Sequence, residues 1–114
     1  MSAVEHFRAH ARRLVALDGV LFGEDEPWEK PARVIDLGLG GARLKLTEGV
    51  TLGTAVKLAV LAPHLWDPLE LSGEVVWVAM HEGKADTRVG IRFNHRSGAT
   101  LRALVELLEA NVYR

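Results

Sequence analysis

Two groups of residues in this chain have the types and spacing to do chemistry. Arg8 and Arg12 stand near the start with three residues between them, and Asp36 heads the glycine-rich stretch Gly38-Leu39-Gly40-Gly41. A guanidinium offers planar, fixed donors that match the oxygens of a phosphate or carboxylate in pairs. Two of them on one short segment, with Arg13 directly behind, have what is needed to hold a small anion. The spacing alone fits a solvated surface pair equally well. Asp36 is an acceptor-only group where a turn begins, and its carboxylate suits N–H donors, whether from nearby backbone or from a bound molecule. Gly40 and Gly41 beyond it suit a tight turn or a close backbone approach.

Other constellations are poorer. His6 and His10 are four apart, but no third ligand follows at a convincing distance, so no metal site is expected. Cysteine is absent, which removes disulfides, thiolate metal sites and cysteine nucleophiles and fits a reducing compartment. The glycine stretch lacks the Lys-Ser/Thr ending of a phosphate-binding loop and the spacing of a dinucleotide fingerprint, and no helical pattern follows it. No Ser-His-Asp arrangement can be assembled. The chain reads as a binding module with no enzymatic activity and no cofactor.

The elements that must position these residues are mostly strands. Apolar runs cover 13–22, 32–37, 42–47, 54–61, 69–80 and 88–94. Ala42, Leu44 and Leu46 alternate with Arg43, Lys45 and Thr47; Val56, Leu58 and Val60 with Lys57 and its neighbours; Val89, Ile91 and Phe93 with Arg88, Arg92 and Asn94. The runs before and after the glycine stretch read as an antiparallel hairpin. The run around Val75-Val76-Trp77-Val78 is apolar on both faces, as in a central strand or one bent across a barrel. Gly23 to Lys30 reads as an acidic loop, 81–84 as a turn, and Pro63 to Pro68 as a loop whose Trp66 is expected to fold back and plug one barrel end. Trp28 has the same choice between core and surface. From Ser97 the period changes: Leu101, Leu104, Val105, Leu108 and Val112 make the stripe of an amphipathic helix, capped by Ser97 or Thr100.

In this order the segments resemble the PilZ domain family, small bacterial β-barrels of which many bind cyclic di-GMP. Arg8-Ala9-His10-Ala11-Arg12 resembles the family's RxxxR, and Asp36-Leu37-Gly38-Leu39-Gly40-Gly41 its D/N-x-S-x-x-G, with Gly38 at the serine position. Val89-Gly90-Ile91-Arg92-Phe93 is similar to its closing G-I/V-x-F strand. The resemblance spans nearly the whole chain. It implies a mainly β fold, a six-stranded antiparallel barrel with a C-terminal α-helix. It also implies a flexible basic arm at 1–12 and a single domain at 13–114. The ligand-binding positions it implies are Arg8, Arg12, Arg13, Asp36, Gly38 and Gly41. Arg8 and Arg12 would grip a guanine and a phosphate, Asp36 would accept from the guanine N1–H and N2 amino group, and Gly41 would allow close approach. Arg13 would add charge, or lie on the outer face. Gly38 removes a hydroxyl from the ligand side, a loss of about 1.5–3 kcal/mol that water can partly make good.

The 114 residues suffice for one domain with a real core, and 48% hydrophobic with 25% charged residues are globular proportions. Lys and Arg number 14 against 15 Asp and Glu, so the formal charge of −1 gives no basis for binding DNA or RNA. The N-terminal residues lack a signal-peptide core, and the longest apolar stretch, 56–66, is interrupted by Lys57, Pro63 and His64. A cytoplasmic protein with no membrane insertion is expected. The implied role is a bacterial signalling module that binds cyclic di-GMP and relays the signal to an unidentified protein partner. The alternative is an adaptor in motility or surface-organelle regulation that binds no nucleotide and works through the Leu65–Trp66 loop or the C-terminal helix.

Overall fold

The computed structural model describes the backbone of residues 13–63, 65–80, 86–95 and 97–111, and the side chains of all these except 13, 14, 110 and 111. Six strands appear: β1 (Arg13–Gly23), β2 (Glu29–Leu37), β3 (Gly41–Leu46), β4 (Ala55–Leu61), β5 (Leu69–Met80) and β6 (Thr87–Phe93). They pair in the order β1-β2-β3-β6-β5-β4 and close into a barrel, with every pairing antiparallel. A helix, α1 (Gly98–Asn111), follows and packs against β5 and β1. This is the expected mainly β barrel with its C-terminal helix. The expected turn at 81–84 and the apolar Val112 lie outside the described residues.

The alternation read from the sequence is what closes the barrel. Val34, Leu44, Val56, Leu58, Val60 and Val89 point inward and are fully buried, while the residues between them on β3 are exposed. Full burial of one such side chain contributes about 1.5–3 kcal/mol relative to exposure. Because all pairings are antiparallel, the start of β1, the β2–β3 turn, the β4–β5 loop and the end of β6 share one end of the barrel.

Three local expectations are corrected. β2 begins at Glu29, inside the segment read as loop, because its pairing with β1 continues through Lys30 and Pro31. Proline is tolerated there because β3, paired with β2 only from Ala32 onward, no longer runs alongside. Trp66 does not plug the barrel: it is fully exposed, while its neighbour Leu65 packs on the core that Leu104, Leu107 and Leu108 of α1 already help to fill. The helix buries Leu104, Leu107 and Leu108, leaving Leu101 and Val105 half-buried, so the stripe lies a little off the one expected. Ser97 provides the cap, its Oγ accepting the Thr100 N–H at 3.4 Å. Trp28 takes the core option, half-buried with Lys30 Nζ 5.3 Å from its ring centroid.

Candidate functional site

Two one-residue bulges arrange the surface that matters. On β2, Val34 faces Leu44 and Asp36 faces Arg43, so Ile35 is the extra residue. On β5, Val75 faces Ile91 and Trp77 faces Gly90, so Val76 is the extra one. Val34, Leu44, Val75 and Ile91 all point into the core. Each bulge therefore interrupts the alternation for one step, and Asp36 and Trp77 lie on the outer side beside Ile35 and Val76. Since Arg43 also faces Gly90 across β3 and β6, the residues Asp36, Arg43, Gly90 and Trp77 form one continuous row over four strands. At the usual strand spacing that row is roughly 14 Å long.

Within the row the parts are complementary. Arg43 Nε donates to Asp36 Oδ2 at 3.2 Å. The Asp36 side chain is only 9% exposed and that of Arg43 is 45% exposed, so the acid sits deep and the guanidinium lies over it from the solvent side. Further along, the Trp77 indole lies against Gly90, filling the space where a side chain on that glycine would stand. A flat aromatic plate, a cation and an anchored acceptor thus share one outer face. Lys45, Arg88 and Arg92 add positive charge around it, with Arg88 paired to Asp86 at 3.1 Å and Arg92 to Glu74 at 2.5 Å. Arg33 on β2 pairs with Asp18 of β1 at 2.7 Å.

The glycine turn forms the margin of this face. Gly38 N–H donates to the Gly41 carbonyl at 2.9 Å, and Phe93 N–H donates to the Gly40 carbonyl at 2.9 Å, which ties the turn to the end of β6. The His95 ring also bonds the Leu39 carbonyl. Gly53, at φ 86°, is the one positive-φ residue among those described, so Gly38, Gly40 and Gly41 keep ordinary backbone. Gly41 is required for a different reason: a Cβ there would be driven into the Ile91 carbonyl oxygen across the β3–β6 pair. Its neighbour Gly40 has open space in the same direction.

Of the residues singled out in the sequence, Asp36, Gly38 and Gly41 are brought together at one barrel end. The backbone of Arg13 joins them, since it lies opposite Leu37, and Leu14 lies opposite Asp36. The side chain of Arg13, and the whole of Arg8, Arg12, His6 and His10, lie outside the described residues. Sequence reasoning gave Arg43 no role beyond the polar side of an alternating strand and gave Trp77 and Gly90 none as a pair. The available signal was Trp77 in a run apolar on both faces, the mark of a bulge. Among the described residues no group of three or more His, Cys, Asp or Glu is placed to hold a metal.

The closed six-stranded barrel, with a polar outer row and a glycine turn at its margin, defines a small antiparallel β-barrel domain. The PilZ domain family model matches residues 6–110, and the chain belongs to that family. Solved structures share the fold at low identity. The PilZ domain of YcgR from Escherichia coli, with c-di-GMP, is 18% identical at a TM-score of 0.68, over 87% of this chain and 86% of that one. Bacillus subtilis Inhibitor of motility (MotI/DgrA) is 15% identical at 0.66, over 91% of this chain and 52% of that one. MrkH of K. pneumonia is 12% identical at 0.72, over 90% of this chain and 48% of that one. The chain thus spans about half the length of the latter two. No curated protein matches it by sequence.

Proposed function

We propose that this chain is a bacterial, cytoplasmic signalling module that binds cyclic di-GMP on the outer row of its barrel. In this reading residues 1–12 form an arm and 13–114 the domain. Arg8 and Arg12 grip a guanine and a phosphate, Arg13 adds charge, and Asp36 accepts from the guanine N1–H and N2 amino group. Gly38 and Gly41 keep the floor low, Trp77 offers a stacking surface, and the ordered arm presents the signal to a protein partner. The observation that carries the reading is the Asp36–Arg43 pair in register with Trp77 across four strands, with the Arg13 backbone opposite Leu37 beside it. Acceptor, fork and aromatic plate are what a guanine nucleotide offers partners for. A groove of about 640 Å³ at the other barrel end is lined by Asp25 and Glu26, whose charge is wrong for a phosphodiester.

Calorimetric titration with cyclic di-GMP tests this directly. Saturable heat is expected; none at tens of micromolar ligand would overturn it. Gly38→Ser should tighten binding by about one to two decades, the worth of a restored hydrogen bond to a charged partner. The ordinary φ of Gly38 lets serine adopt the same backbone. Unchanged or weaker binding by that variant would mean the hydroxyl has no role on this face.

One observation favours the adaptor reading, in which no nucleotide binds and the role lies in motility or surface-organelle control. Trp66 is fully exposed on the β4–β5 loop, and exposed tryptophans are over-represented as binding hot spots. A silent titration would leave that loop, with α1, as the working surface.

A further inference from the structure

Independently of the nucleotide reading, we infer that residues 76–80 of β5 form a self-association edge, on which a second copy of this chain pairs antiparallel about a two-fold axis at Val78. β5 runs to Met80, but its pairing with β4 ends where Ala55 faces Glu74. The Val75 N–H still donates to the Thr54 carbonyl at 3.0 Å, and the Gly53 N–H to the Val75 carbonyl at 2.8 Å. Past that point, among the described residues, no backbone group meets β5 on this side, while β6 continues to pair with it on the other as far as Met80.

Free margins of a sheet are normally blunted by proline, by charge or by cover. Where β2 runs past β3 it carries Glu29, Lys30 and Pro31. The margins of β1 before Asp18 and of β5 before Gly73 lie at the barrel end from which α1 starts, and α1 packs against both strands. Residues 76–80 have no such guard: they include neither charge nor proline, and Val76, Trp77 and Met80 are exposed. A second copy fits this edge. Trp77 and Ala79 share the outer face and Val78 turns toward the core, so a two-fold axis at Val78 sets valine against valine and each Trp77 beside the other copy's Ala79, large next to small. No like charges meet across that line, and at a formal charge of −1 per chain two barrels repel little. The pairing lies in the plane of the sheet, so the outer row through Trp77 stays uncovered. Both bare margins are used up in the pair, and association stops at two.

Sedimentation of the purified chain over a concentration series tests this. The shared edge is short, so a weak dimer is expected, half-formed at roughly 10–100 µM. In the two-fold register residue 76 of one copy lies opposite residue 80 of the other. Val76→Lys with Met80→Lys therefore sets like charges across both ends and should weaken association at least about tenfold, whereas Val76→Lys with Met80→Glu sets opposite charges there and should recover most of it. A wild-type chain that stays monomeric up to about 500 µM, well beyond that range, overturns the proposal and leaves the edge to an extended apolar segment of another protein. A dimer undiminished by the two lysines overturns it as well, as does equal weakening in both double variants. Thermal midpoints identify any variant that fails to fold, and Met80→Lys alone, at the most exposed of these positions, then supplies the comparison.

Discussion

Gly41→Val should destabilise the barrel by about 3 kcal/mol, lowering its thermal midpoint by about 10 °C, whereas Gly40→Val next door should cost well under half of that. The difference is steric. At Gly41 the obstructing atom is the Ile91 carbonyl oxygen, part of the strand that pairs with β3, so relief requires the β3–β6 ladder to part. At Gly40 the added carbon meets no atom within contact distance. Neither residue has a left-handed backbone, so strain in φ does not enter the comparison. Guanidinium unfolding followed by circular dichroism measures both; equal midpoints would mean that β3 and β6 are less tightly engaged than the register implies. The effect is large on the scale of this fold, since a domain of this size is held by some 5–15 kcal/mol in all.

On the proposed function, the Arg8→Ala/Arg12→Ala double variant should lose at least about a hundredfold in affinity for cyclic di-GMP. Each charge-assisted contact is worth about 1.5–3 kcal/mol, and two together exceed the two decades expected. Stability should hardly change, because among the described residues the core begins with Val15 and Leu17, beyond both arginines. Calorimetry for binding and a thermal melt for folding separate the two effects. Binding retained within about threefold would remove the arm from the site and leave the β-face to act alone.

The strands were legible because alternation is a one-dimensional signal: Leu44 between Arg43 and Lys45 declares its face without reference to any partner. The helix was legible in the same way, though its buried face centres on Leu107 and not on Leu101, since the direction of docking depends on β5 and β1. The candidate site was legible only in part. Asp36 and Gly41 stand out by type and position, but the contact of Asp36 with Arg43 depends on the bulge at Ile35, and the meeting of Trp77 with Gly90 on the bulge at Val76. A bulge adds one residue to one strand relative to another, which is information about pairing that neither strand carries alone. Trp66 was misread for a related reason. Its apolar area called for burial, but Leu65 was better placed to supply it, and only the packed structure decides which of two adjacent side chains turns in.

Closure of the barrel also limits how this protein meets others. Each of the six strands has a partner on both sides over part of its length, so open sheet edge is left where a strand outruns one partner, as β5 does beyond Val75 on its β4 side. Strand addition is thereby confined to such short overhanging stretches, and over the rest of the barrel wall a partner must engage side chains.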